Sequence, residues 1–292
     1  MRSYSTYILA ALLLAAVAIS IGFVYSEGKT YHKTITSSSE REVKATIEAG
    51  FAKIFINSGK AETIFNADIT SEKSLNIGNC IDYSVRDKIG YLTLNTEEHH
   101  GEDGHGVHIS GFESSTWNTT FTDALPISFD IELGLGKGDF DFTGIDVKDL
   151  SVSTGASSVK MSFDKPNKHV IEDLTIEAGL SKFESKGLGN ARFKHLKFEG
   201  GVGSYLLDFS GKFDQVADVD IEVGLGSLTV IIPKNTGVKL TAEKNFITHF
   251  DIDDDLSEEG NDSYLSSNYD SAPGKLNIHI DAGVGSVKIR RE

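Results

Sequence analysis

The sequence predicts an all-β repeat fold, a β-solenoid of about seven to eight two-strand rungs behind an N-terminal apolar helix. Three observations carry that prediction. Seven segments centred on Gly50, Gly134, Gly155, Gly179, Gly201, Gly224 and Gly283 superimpose without a gap. At offsets −5, −3, −1, +1, +4, +6 and +8 from the glycine, 42 of the 49 residues are apolar, where the overall 39% would give about 19. From Gly134 to Gly224 the glycines recur after 21, 24, 22 and 23 residues, a period that marks stacked supersecondary units.

The chain opens on an apolar segment. Residues 8–24 carry no charge and follow Arg2, a length between a signal-peptide core and a membrane span. Ala16-Val17-Ala18 resembles a cleavage site, but cutting there would leave an apolar start, so an uncleaved signal-anchor is the favoured reading of residues 1–26. Lys29 and Lys33 just beyond it weaken any orientation assignment from positive charge. Residues 27–128 form an N-terminal part in which the repeat is blurred after Gly50. Strand-like runs survive there at residues 89–94, 107–109 and 117–121.

Residues 129–292 hold the regular repeat. Alternation of apolar and polar residues on each side of the glycine is the period of a half-buried strand. At Gly224 the apolar positions read Val219, Ile221, Val223, Leu225, Leu228, Val230 and Ile232. The break in alternation after +1 marks a corner, where Gly-x-Gly strings tolerate positive φ and leave no Cβ to clash. Each unit therefore reads as strand, tight corner, strand and a polar return such as residues 212–218. Parallel stacking of such units is expected, with a two-sheet sandwich as the rival because a face pattern does not name strand partners. Between Gly224 and Gly283, Val238, Leu240 and Ala242 suggest one more strand. A polar stretch at residues 251–274 then reads as a projecting loop.

Composition narrows function. A formal charge of −15 and a pI near 5.0 speak against nucleic acid, since no basic stripe is present to displace phosphate counterions. The lone Cys80 precludes an internal disulfide or a cysteine zinc cluster and reads as a small buried hydrophobe. The string Gly134-Leu135-Gly136-Lys137-Gly138 is a repeat corner and no phosphate loop, because no helix pattern or Lys-Ser/Thr pair follows. No catalytic constellation emerges, and the chain reads as a non-enzyme.

Three clusters remain as candidate sites. Offset −2 is Glu48, Glu132, Ser153, Glu177, Glu199, Glu222 and Asp281, acidic in six of seven. Stacked in register, these carboxylates would lie about 4.8 Å apart, a mildly unfavourable arrangement that cations or a basic partner would offset. The bland alternative is a solvated face that discourages association. In residues 251–262, Asp251, Asp253 and Asp255 match the first three ligand positions of a calcium loop. Leu256 then stands where that loop needs glycine, and Asp262 where it needs glutamate, so a solvated loop is the better reading. Last, His99, His100, His105 and His108 fall within ten residues and could hold a transition metal, although the glycine-rich segment lacks a preorganising helical spacing. No cofactor is expected; calcium or a transition metal stays open through these clusters.

From Trp117 onward the chain resembles the toast-rack family of bacterial envelope proteins, which includes the C-terminal domain of LiaF-type cell-wall-active antibiotic response proteins and is related to adhesin-like domains. Trp117, Leu125-Pro126, the run from Phe129 to Gly134, the Gly-x-Gly rungs, Ile231-Ile232-Pro233-Lys234-Asn235-Thr236-Gly237, Asn268-Tyr269 and the run from Leu276 to Ser286 carry the resemblance. Residues 30–116 match its N-terminal part more loosely. The resemblance implies an all-β, non-enzymatic body in the cell envelope. LiaF-type regulators have several N-terminal spans, whereas this chain has one at most. The leading expectation is an adhesin-like interaction module, anchored by its N-terminal helix or exported, with its body outside the cytoplasmic membrane and binding envelope protein or glycan. The alternative is an accessory regulator of an envelope-stress signalling system.

Overall fold

A computed structural model describes residues 28–96, 115–243 and 247–292. The fold is all-β. In chain order its strands are β1 (Lys29–Thr36), β2 (Glu42–Ser58), β3 (Thr63–Ser71), β4 (Ile81–Arg86), β5 (Ile89–Asn95) and β6 (Ser115–Phe121). The series continues with β7 (Pro126–Asp141), β8 (Asp146–Ser162), β9 (Ile171–Lys186), β10 (Phe193–Asp208), β11 (Val216–Ile232) and β12 (Gly237–Glu243). Last come β13 (Thr248–Ile252), β14 (Leu256–Gly260), β15 (Ser263–Ser266) and β16 (Lys275–Arg291).

The seven glycine-centred segments are the seven long strands, stacked parallel in the order β2-β7-β8-β9-β10-β11-β16. Parallel neighbours need a crossover between them, and each return segment supplies one, so the chain winds forward by one strand per turn. Both ends finish in split rungs. The first half of β2 pairs with β5 and its second half with β6. At the other end, β12 pairs with the first half of β16 and β13 with its second half. The antiparallel strands β4, β3, β1, β15 and β14 lie outside these. Thus β2 pairs directly with β7 across position 128.

Four expectations need correction. The rungs are not pairs of strands joined by a tight turn. Each is one strand of 16 or 17 residues that bends at its glycine while keeping partner and register on both sides. The ladder skips only the central glycine and resumes in the same register on the next residue, whereas a turn would interrupt it for longer. The returns are also less polar than they read. Phe213, within residues 212–218, is buried. Phe142, Phe163 and Phe209, at the apolar offset +8, are buried at the start of the returns as that offset predicts, and Phe142 stacks on Phe163 at 5.2 Å between ring centroids. The bend opens a space between the two strand halves, and these rings fill it.

The polar stretch at 251–274 is not a projecting loop. It contributes the end of β13, all of β14 and β15, and covers the last rung. Finally, +1 is not a core position. Offsets −5, −3, −1, +4, +6 and +8 point inward, as Val219, Ile221, Val223, Leu228, Val230 and Ile232 show by their burial, but Leu225 is 50% exposed. Expected strands at 89–94, 117–121 and 238–242 are present as β5, β6 and β12, and Cys80 is buried. Residues 1–26, the run 107–109 and the clustered His99, His100, His105 and His108 lie outside the described residues. Among the described residues, no helix is long and apolar enough to cross a membrane.

Buried amides tie the returns together. Asn167 accepts from the Val147 amide at 2.9 Å and donates to the Val147 carbonyl at 2.6 Å. One turn later Asn190 donates to the Phe163 carbonyl and accepts from the Lys212 amide, each at 2.8 Å. Each asparagine therefore satisfies backbone groups of an adjacent turn that no ladder reaches.

Candidate functional site

The corner of the stack carries the candidate site, and glycine makes it. A Cβ built on Gly224 would meet the Gly201 carbonyl oxygen at 2.8 Å, and one on Gly201 the Gly179 oxygen at 2.8 Å. Successive central glycines thus face each other's carbonyls, and their value lies in close approach of neighbouring backbones. Positive φ belongs to the second glycine of the string, Gly226 at +141°. The result is a strip of bare backbone running along the stack.

The acidic column stands on one side of this strip. Glu48 pairs in register with Glu132, then Ser153, Glu177, Glu199, Glu222 and Asp281 in succession. Glu243 extends the row beyond Asp281. It escaped the repeat alignment because β12 stops short of a corner glycine; matching Val238-Leu240 to Leu276-Ile278 would have found it. Ser153, Glu177, Glu199, Glu222 and Asp281, with Gly179, Gly201, Gly224 and Gly283, line an open groove.

The row is sparsely neutralised. Lys197, two residues before Glu199 on the same face, pairs with it, and that hydrogen bond, with Glu222 and Glu177 nearby, holds the Lys197 ammonium above its usual range. Asn95 donates to Glu48 at 2.8 Å, and His279 approaches Glu243 at 3.4 Å. Glu132, Glu177, Glu222 and Asp281 make no ion pair with a described residue. At about 4.8 Å in water, neighbouring carboxylates repel by up to about 1 kcal/mol, less where side chains splay apart.

On the other side of the strip the +1 residues form a second row. Leu135 is 37% exposed, Leu180 64%, Val202 44%, Leu225 50% and Val284 44%. Phe51 and Ala156 complete it, half-buried and exposed. These seven stack in register like the acids. Five of the eight large apolar residues most exposed in the described chain belong to this one row, which separates it from the scattered exposure that any surface shows.

The calcium-loop acids are placed elsewhere and face arginines. Asp251 pairs with Arg290, whose guanidinium holds its carboxyl below the usual range. Asp253 accepts from the amides of Arg291 and Asp255 at 3.1 Å each, and is lowered for that reason. Asp255 pairs with the Arg291 Nε at 3.1 Å. The Arg291 side chain is fully buried and also donates to the carbonyls of Pro233, Lys234 and Thr236. These carboxylates thus close the end of the stack over the last return. No group of three or more potential metal-ligating side chains occurs among the described residues. His99, His100, His105 and His108 are outside them.

No curated protein matches the chain in sequence. Among solved structures, it is similar to a "putative cell adhesion protein" from Clostridium sporogenes ATCC 15579 at 22% identity, over 91% of this chain and 100% of that one, with a TM-score of 0.42. A "putative adhesin" from Bacteroides fragilis NCTC 9343 matches at 14% identity over 89% and 97%, with a TM-score of 0.35. The family model for the N-terminal domain of toast_rack, DUF2154, matches residues 24–184. That match takes in more than half of the sequence, from before the first split rung through most of β9, and the chain belongs to the toast_rack family.

Proposed function

We propose that this protein is a non-enzymatic interaction module of the cell envelope whose binding surface is the outer corner of the stack. The observation that carries this reading is the pair of in-register rows, acidic and apolar, on either side of a backbone strip. Two rows of fixed spacing on a rigid ladder suit recognition of an extended partner, because little order is lost on binding. The groove beside the acidic row is open, and its charged lining is carboxylate throughout. Such a surface has nothing to exclude water or to pair a nucleophile with a base. Envelope placement rests on family membership and on the apolar residues 8–24, which are read as a signal-anchor or export signal holding the body outside the cytoplasmic membrane.

The test is crosslinking in intact cells with a C-terminally tagged chain, followed by mass spectrometry. Recovery of a defined envelope protein or polymer, reproducibly and at the expense of an untagged control, is the expected result. Recovery of a histidine kinase or its membrane accessory would move the protein to signalling regulation. Absence of any reproducible partner would count against the module reading.

A further inference from the structure

We propose that the corner takes one occupant of defined chemistry, an extended polypeptide segment in which basic and apolar side chains alternate. The proposal rests on the interaction-module reading and adds the partner class and its contacts. Successive side chains of an extended chain point to opposite sides. Laid along the strip, such a chain would direct one set toward Glu177, Glu199 and Glu222 and the other toward Leu180, Val202 and Leu225.

The glycines are what permit this. Gly179, Gly201 and Gly224 stand between the acidic and apolar positions along each strand and bring successive backbones close, so that main chain alone separates the two rows. Six strand spacings separate β2 from β16, about 29 Å at about 4.8 Å each. A segment of about nine residues at about 3.4 Å per residue would cover them.

Charge complementarity selects against the other occupants. A second copy of the chain, docked face to face, would bring its own acidic row against this one or against the Leu/Val row, and neither contact is complementary. An anionic bilayer or a nucleic acid would be repelled by the same row. A basic segment is favoured in approach as well as in contact, because the whole chain carries a formal −15. Apolar side chains are required of the partner too, since a purely cationic segment would leave the Leu/Val row in water.

The test uses the full chain and a labelled decapeptide of alternating lysine and leucine, with one central proline to keep it monomeric. Binding is followed by fluorescence anisotropy at low and at physiological salt. Controls are a lysine–serine and a glutamate–leucine decapeptide. The triple variant Glu177→Gln/Glu199→Gln/Glu222→Gln is expected to weaken binding about tenfold and to flatten its salt dependence. Leu180→Ser/Leu225→Ser is expected to weaken it by a similar factor with the salt dependence kept. All substituted side chains are on the surface, so both variants should melt with the wild type, and the melts verify this. The proposal is overturned if the wild type does not bind the lysine–leucine peptide, if the lysine–serine or glutamate–leucine peptide binds as well, or if either variant binds like wild type. A partner crosslinked at the corner through a segment without alternating basic and apolar side chains would overturn this proposal alone, whereas crosslinks that fall away from the corner would also overturn the corner as the module's binding surface.

Discussion

Three glycine-to-alanine substitutions separate two reasons for glycine, and together they test the account of the corner. A Cβ at Gly226 would stand 1.9 Å from the Gly203 carbonyl oxygen, and φ there is +141°. Relieving that contact means moving β11 from β10 by about 1 Å over several residues, at about 1–3 kcal/mol for overpacking. The backbone conformation adds about 1–3 kcal/mol for a side chain, and ladder hydrogen bonds stretched at the bend add about 1 kcal/mol each. Gly226→Ala should therefore cost about 4 kcal/mol.

Gly224→Ala meets Gly201 O at 2.8 Å with no positive φ, and should cost about 1–2 kcal/mol from crowding alone. Gly260→Ala has φ at +96° but open space around it, and should cost about 1 kcal/mol from conformation alone. Urea denaturation gives the order, and hydrogen exchange gives the location, because a stacked array need not unfold in one step. Protection in Gly226→Ala should fall first in β10 and β11. If Gly226→Ala is no worse than Gly260→Ala, the close packing of corner backbones is not what demands glycine, and the account fails.

Further outcomes follow from burial and charge. Leu228→Asp or Val230→Asp places an unpaired charge in the core and should cost several kcal/mol, whereas Leu225→Asp at the exposed corner should stay within about 0.5 kcal/mol; equal effects in thermal melts would refute the inward assignment. Arg291→Ala leaves three carbonyls and Asp255 without their buried donor, and should cost about 3 kcal/mol, with exchange rising in β12 to β15 before the long strands. Acid titration of stability should show a loss below the ordinary carboxylate range. Glu40 is buried and its pKa is lowered: burial alone would raise it, but hydrogen bonds from the Ser38 amide and hydroxyl outweigh that. A carboxylate lowered in the folded state contributes fully above its unfolded value of about 4.5, and loses that contribution as pH falls through its folded value. Glu40→Gln should then flatten the acid limb of the curve; an unchanged limb would remove Glu40 from it.

Legibility followed whatever depends on alternation alone. Inward positions such as Val219, Ile221 and Val223 were readable because burying one face of a strand forces period two. The acid row was readable too, since equal offsets from the same glycine become neighbours once the strands lie parallel. The exposure of Leu225 was not readable. An apolar side chain before a bend looks like core, and only the direction of the bend decides which way it points. Residues 251–274 misled for a different reason. Seven carboxylates between residues 251 and 262 suggest a solvated loop, but Arg290 and Arg291, nearly forty residues later, neutralise Asp251 and Asp255, and a partner that distant leaves no local mark. Equally, a phenylalanine among the polar residues of a return, such as Phe213, looks incidental until the space inside the bend is seen to need a ring.

The position of β16 has a consequence for the timing of assembly. Once β2 is made, strands β5 to β11 can each dock on a neighbour already synthesised, so the stack can grow as the chain emerges. The next segments cannot. Both β12 and β13 pair with β16, which lies between β12 and β11 and is made after them. About forty residues between β11 and β16 must therefore wait, unpaired with the growing body, for the last strand to arrive. When it does, β16 joins β11 on one side and receives β12 and β13 on the other, and Arg290 and Arg291 at its end lock the acidic segment in place. Loss of that single strand would strand the whole preceding segment, making it a final gate on completion of the fold.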